Sequence, residues 1–133
     1  MGAQANADAA PTQAAWRVLL VDDSRDDAEL AEFALRKGGL PVECRRVSNA
    51  AGLDAALHAF APQAVVSDVN LPGFSGAEAL QRVRAHDPGL PFVFLTGAPM
   101  APGDGPPAAD GLLLKDDLDA LPGLLRRLLP GAG

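Results

Sequence analysis

The sequence predicts a doubly wound α/β domain on a five-stranded parallel sheet, and three observations lead there. Apolar runs alternate with amphipathic segments along nearly the whole chain, the pattern of strands sandwiched between two helical layers. Four of the runs, at 18–21, 64–67, 92–95 and 112–114, are continuously apolar or nearly so, as strands covered on both faces are. At 133 residues, 48% of them hydrophobic, the chain is long enough for one real core and short for two.

Each element has its own signal. The first strand covers about 17–21, with Trp16 packing at its edge. Ser24 offers a cap to the helix that follows, with Asp26 and Asp27 in its first turn, where the helix dipole favours carboxylates. Leu30, Ala31, Ala34 and Leu35 recur at helical spacing, and Gly38-Gly39 stops the helix. Residues 42–47 alternate as a second strand. Asn49 caps a second helix to about 59 with Leu53, Ala56, Leu57 and Phe60 on its buried side, and Pro62 ends it. After the third strand, Leu71-Pro72-Gly73 is a tight turn. Ser75 then caps a helix to about 86 with Ala79, Leu80 and Val83 facing inward, and Asp87-Pro88-Gly89 closes it. The last helix is short, marked by Leu118, Leu121, Leu125 and Leu128. Pro122 is tolerated only in a first turn, so that helix begins near Ala120.

One interval breaks the alternation. Between Thr96 and Leu112, Pro99, Pro102, Pro106 and Pro107 stand among several glycines and forbid a regular helix. A Pro/Gly-rich loop is therefore expected to replace or shorten the fourth helix. Residues 1–15 read as a mobile leader, 16–129 as the folded domain and 130–133 as a tail, with no output domain expected on the chain.

Composition narrows the function. A net charge of −6 and no basic run argue against direct contact with nucleic acid. No stretch approaches the ~20 apolar residues of a membrane span, and the N-terminus lacks the basic-then-apolar order of a signal peptide. A cytoplasmic protein without membrane contact is expected. The single cysteine, Cys44, excludes an internal disulfide and reads as a small core or edge residue. His58 and His86 lack the ligand spacing of a zinc site and stand near helix ends, where a cation suits the dipole.

The strand ends carry the chemistry. Open parallel sheets place their working site beyond the carboxyl ends of the strands. There the chain delivers Asp22 and Asp23, then Asp68, Thr96 and Lys115, each directly after or at the end of an apolar run. Converging carboxylates repel one another unless a cation intervenes, and an oxygen-only donor set suits Mg2+. Such a metal neutralises a phosphoryl group during its transfer to Asp68, with Lys115 and Thr96 holding phosphoryl oxygens. Singly, each residue has a plain explanation: dipole partners for Asp22 and Asp23, an Asx turn for Asp68, a strand-to-loop junction for Thr96, a solvated strand end for Lys115. Jointly, four strand ends with matching chemistries favour a phosphoryl-transfer site.

On these residues, 17–129 resemble a response-regulator receiver domain of bacterial two-component signalling. Arg17-Val-Leu-Leu-Val-Asp-Asp23 is similar to the family's first strand and acidic pair, and Ser67-Asp-Val-Asn-Leu-Pro-Gly-Phe-Ser-Gly76 to its phosphoacceptor strand and turn. Leu95-Thr96-Gly97 and Leu114-Lys115 complete the set. The resemblance implies a flavodoxin-like (receiver) fold in which Asp68 is phosphorylated from a histidine kinase or histidine phosphotransfer protein. It implies Mg2+ held by Asp23 directly, by Asp22 mainly through water, by Asp68, and by the backbone carbonyl of Asn70, whose side chain sits beside the phosphoryl group. Thr96 and Lys115 would grip phosphoryl oxygens, and Gly97 would leave Thr96 room to approach. Activity would be limited to Mg2+-dependent self-phosphorylation and autodephosphorylation, short of a conventional turnover enzyme.

The chain departs from the family pattern in its transmission parts. Leu112 stands where most receivers have an aromatic residue, and Asp116 where most have proline. The Leu-Lys-Asp-Asp-Leu run resembles receivers that work with hybrid sensor kinases. The proline-rich interval makes dimerisation through the usual fourth-helix face doubtful, and phosphorylation is expected to order or reshape the 98–110 loop. The leading expectation is a single-domain response regulator in a phosphorelay, signalling to an unknown downstream protein through protein contacts. A phosphorylation-independent scaffold is the alternative, opposed by the intact acidic set. An aspartate-nucleophile phosphatase is more remote, because Asn70 replaces the second acid such enzymes carry. A flavodoxin-like cofactor binder is opposed by Asp22 and Asp23, which would repel its phosphate.

Overall fold

The computed structural model describes residues 15–71, 73–97 and 109–130. Its elements in chain order are β1 (Trp16–Val21), α1 (Arg25–Lys37), β2 (Val42–Val47), α2 (Ala50–Ala59), β3 (Ala64–Asp68), β4 (Asn70–Leu71), β5 (Phe74–Ser75), α3 (Gly76–His86), β6 (Phe92–Thr96), β7 (Gly111–Leu114), a 3-10 segment (Lys115–Ala120) and α4 (Leu121–Leu128). Five strands form one sheet in the order β2-β1-β3-β6-β7, and every pairing in it is parallel. The chain leaves β1 in one direction to make β2 and crosses to its other side to make β3. The strand order reverses there, and a crevice opens at the carboxyl ends of β1 and β3.

Alternate residues of the central strands feed two cores, because successive strand side chains point to opposite faces. Val18, Leu20, Val66, Val93 and Leu95 pack with Ala28, Ala31 and Leu35 of α1 and with Leu121 and Leu125 of α4. Leu19, Val21, Val65, Phe92 and Phe94 pack with Leu53 and Leu57 of α2 and with Ala79, Leu80 and Val83 of α3. This two-faced burial is the physical reason β1, β3 and β6 read as continuous apolar runs. The run at 112–114 is instead the edge strand β7, not covered on both faces, with Leu112 exposed. Trp16 and Cys44 pack, partly buried, against the first core, and burial pushes the Cys44 thiol up to about 12.

The helix caps follow the expected chemistry. Ser24 accepts the N–H of Asp27, Asn49 that of Gly52 and Ser75 that of Glu78. Other details differ from the sequence reading. Leu30 does not join the α1 face on the sheet: it is 55% exposed, and Phe33 is 64% exposed. The small residues Ala28, Ala31 and Ala34 form that face instead, with Leu35. The turn expected after Asp68 lies inside a two-strand antiparallel hairpin, Asn70 opposite Ser75 and Leu71 opposite Phe74, with Gly73 at φ 81. The last helix is entered through the 3-10 segment, which begins on Lys115 itself.

The expected leader, the loss of the fourth helix and most of the 98–110 loop fall on 1–14 and 98–108, outside the described residues. Four α-helices are present among the described residues, and none is long and apolar enough to cross a membrane. The far end of the loop is anchored. Asp110 accepts the backbone N–H of Phe92 at 2.8 Å and Arg84 at 3.0 Å, and returns its own N–H to the Phe92 carbonyl.

Gly76 sets the distance between α3 and the end of β3. Its N–H donates to the Val69 carbonyl at 2.9 Å. A Cβ there would stand 2.6 Å from Cε1 of Phe94 and 2.8 Å from that same carbonyl oxygen. Gly76→Ala is therefore expected to cost about 2 kcal/mol by overpacking, read as an earlier midpoint in urea with an unchanged slope.

Candidate phosphoryl-transfer site

Parallel pairing brings the polar strand ends to one edge. Asp68 is the last residue of β3 and lies opposite Leu95, with Thr96 one residue further along β6. Leu114 lies opposite Thr96, so Lys115 emerges directly beyond it. Asp22 follows β1, whose Val21 is in register with Ser67. Thus 93 positions of sequence separation between Asp22 and Lys115 close to a 3.2 Å contact.

Asp22, only 5% exposed, is held at every polar atom. Its N–H donates to the Val47 carbonyl and its own carbonyl accepts Arg46. Its Oδ1 accepts the N–H of Ser24 at 2.9 Å and its Oδ2 accepts Lys115. Burial raises its carboxyl above the usual carboxylate range, against the lowering effect of the Ser24 N–H and the Lys115 ammonium, and the neighbouring Asp68 raises it further. Asp23 is exposed. One carboxylate oxygen from each of Asp22, Asp23 and Asp68 falls within 4.8 Å of the others. Three carboxylates that close make a hard-oxygen donor set, and its chemistry fits Mg2+ better than any softer ion.

Lys115 is the counter-cation of this edge. Its Nζ donates at 3.1 Å to Oδ2 of Asp68, at 3.2 Å to Oδ2 of Asp22 and at 2.7 Å to Oδ2 of Asp27. Burial alone would lower the ammonium's affinity for its proton. The bonds to Asp27 and Asp68 and the charge of Asp22 outweigh it, so the group titrates above the ordinary lysine range.

The sequence-predicted residues thus divide clearly. Asp22, Asp23, Asp68 and Lys115 meet in one cluster. Thr96 is buried at the adjoining strand end. Asn70 begins β4, two residues beyond Asp68. Asp27 is the residue that sequence reasoning missed as part of the site, having assigned it only to the helix dipole. Its position in the first turn of the helix that follows the acidic pair was the available signal.

Residues 18–103 match the family model described as the response regulator receiver domain. The chain belongs to this receiver family. The transcriptional regulatory protein TctD of Salmonella typhimurium is 35% identical to it over 117 residues, covering 85% of this chain and 51% of TctD. DctD of Pseudomonas aeruginosa, a C4-dicarboxylate transport transcriptional regulatory protein, is 35% identical over 88 residues, covering 66% of this chain and 19% of DctD. The receiver chain therefore spans about half or less of the length of these curated relatives. Among solved structures, the chemotaxis response regulator CheY4 of Vibrio cholerae superposes with a TM-score of 0.70 at 26% identity, over 87% of this chain and 100% of that one. The response regulator TrrA of Thermotoga maritima, solved in complex with Mg2+ and BeF, has a TM-score of 0.70 at 28% identity, over 86% of this receiver and 99% of TrrA.

Proposed function

We propose that this receiver accepts a phosphoryl group onto Asp68 from the phosphohistidine of a histidine kinase or histidine phosphotransfer protein and signals through protein contacts. The observation that carries the reading is the Lys115 ammonium 3.1 Å from Asp68, on the edge where three carboxylates gather. A carboxylate oxygen of Asp68 attacks phosphorus while the bond from phosphorus to the donor imidazole breaks, and the electron pair stays on that nitrogen. Lys115 and the hydroxyl of Thr96 hold phosphoryl oxygens as charge shifts onto them. Asp22, Asp23, Asp68 and the backbone carbonyl of Asn70 would hold Mg2+, which supplies charge neutralisation for the entering group. The three carboxylate oxygens within 4.8 Å of one another support this: their mutual repulsion is relieved when a divalent cation enters. A mass increase of one phosphoryl group from acetyl phosphate, dependent on Mg2+, tests the reading.

The donor needs a surface to dock on. Leu30 and Phe33 lie one turn apart on the solvent side of α1, the helix that starts beside the acidic pair, and both are exposed large apolar residues. An apolar pair rimming a polar transfer site suits a donor protein and offers nothing to acetyl phosphate. Phe33→Ser is expected to leave phosphorylation by acetyl phosphate unchanged. With a phosphorylated histidine donor protein, kcat/KM should fall about tenfold, ~1.4 kcal/mol. An equal rate for both proteins with the protein donor would remove α1 from the docking surface.

A further inference from the structure

We propose that Asp27 is a positioning residue that keeps the Lys115 ammonium aimed at Asp68 through the transfer step, an inference that rests on the phosphoacceptor reading above. An ammonium has three hydrogens, and Lys115 has three carboxylate acceptors, of which Asp27 is the nearest at 2.7 Å. The other two are committed elsewhere. Asp22 and Asp68 belong to the oxygen cluster that would hold the metal, and an oxygen of Asp68 becomes the bridging oxygen of an acyl phosphate, a mixed anhydride. Asp27 lies outside that cluster, so it is the acceptor that neither event consumes. The Lys115 stem is long and flexible. Without a fixed partner, its charge would have to be found and oriented at the moment phosphoryl oxygens need it.

The helix start shows why Asp27 is available. With Ser24 as cap, Asp27 occupies the third helical position, where an acid commonly reaches back to the N–H of the capping residue. Here that N–H is taken by Oδ1 of Asp22 at 2.9 Å, while Ser24 Oγ still accepts the Asp27 N–H. The Asp27 carboxylate is thereby turned from capping its own helix to holding a lysine 88 positions away. Its side chain is 39% exposed, so the pair contributes little to stability. Its contribution is orientation.

The test compares phosphorylation rates from acetyl phosphate at saturating Mg2+, by intact mass, with melting temperatures of the same proteins. Asp27→Asn is expected to slow adduct formation about tenfold while melting close to wild type, and Asp27→Glu, which keeps the charge, to recover most of the rate. Asp26→Asn makes the same charge change one residue away and should react as wild type. In a Lys115→Met background, Asp27→Asn should add no further slowing, because the residue acts through the lysine. A wild-type rate for Asp27→Asn, the same slowing in Asp26→Asn, or slowing that persists without the lysine would each overturn the proposal. So would a rate that only follows the melting temperature, with Asp27→Glu restoring stability and not rate. A wild-type protein that gains no phosphoryl group would bring down the phosphoacceptor reading and this inference together. An adduct formed equally fast by Asp27→Asn brings down this inference alone.

Discussion

Asp68→Ala is expected to abolish the phosphoryl adduct completely. Incubated with acetyl phosphate and Mg2+, the wild-type chain should gain the mass of one phosphoryl group and Asp68→Ala none. The gain should also vanish with EDTA. The effect is all-or-none because the nucleophile itself is removed, unlike a group that only stabilises charge. Asp22 and Asp23 lie nearby but do not replace it. Asp22 is locked by Ser24 and Lys115, and Asp23 is exposed to water, where charge on the phosphoryl oxygens is less well stabilised. An adduct that survives in Asp68→Ala would move the acceptor to another carboxylate and overturn the assignment.

Lys115→Met is expected to act on stability and rate in opposite metal states. Its ammonium pairs with Asp22, Asp27 and Asp68 at once. With the cation gone, the Asp22 and Asp68 carboxylates at the β1 and β3 ends repel each other with no ammonium between them. Removing one partner of a fully buried pair costs about 3–5 kcal/mol. Because Lys115 and Asp68 retain some exposure, about 2 kcal/mol is expected here, a fall of roughly 8 °C in Tm. Saturating Mg2+ should restore most of that loss by supplying positive charge to the same edge. The phosphorylation rate should still stay about a hundredfold low, since the metal does not replace the donor to the phosphoryl oxygens. The folded-state pKa of Lys115 lies above its unfolded value. Its stabilisation is thus complete below the unfolded value of about 10.4 and is lost only as pH rises through the higher folded one. Between pH 6 and 9 the wild-type minus Lys115→Met difference should be flat as far as the lysine is concerned. An apoprotein as stable as wild type, or one that Mg2+ does not rescue, would refute the counter-cation role.

The patterns legible in the sequence were those with a local physical cause. Burial on both sheet faces wrote the continuous runs that became β1, β3 and β6. Cap chemistry marked Ser24, Asn49 and Ser75, because a hydroxyl or amide before a helix start answers free N–H groups within three residues. The parallel topology then obliged Asp22, Asp68, Thr96 and Lys115 to share one edge. Strand ends were less legible. Asp68 and Thr96 are ladder members rather than residues beyond the ladder, since a polar side chain at the last position costs nothing when it faces the site.

What the sequence by itself determined is the fold class, the buried strands, the capped helices and the edge on which the acidic pair, Asp68, Thr96 and Lys115 assemble. Each follows from periodicity or from a topology with few alternatives. The tertiary structure alone decided which partner each charge takes. It gave Lys115 to Asp27 as well as Asp68, and used Asp110 to join Arg84 to the start of β6. It brought the rings of His58 and His86, each in the last turn of its helix, to 4.9 Å from one another, and left Leu30 and Phe33 facing solvent. The physical reason is common to all four. A residue's type limits what it can bond, but its partner depends on distances set when helices settle against the sheet, and no spacing along the chain encodes those distances.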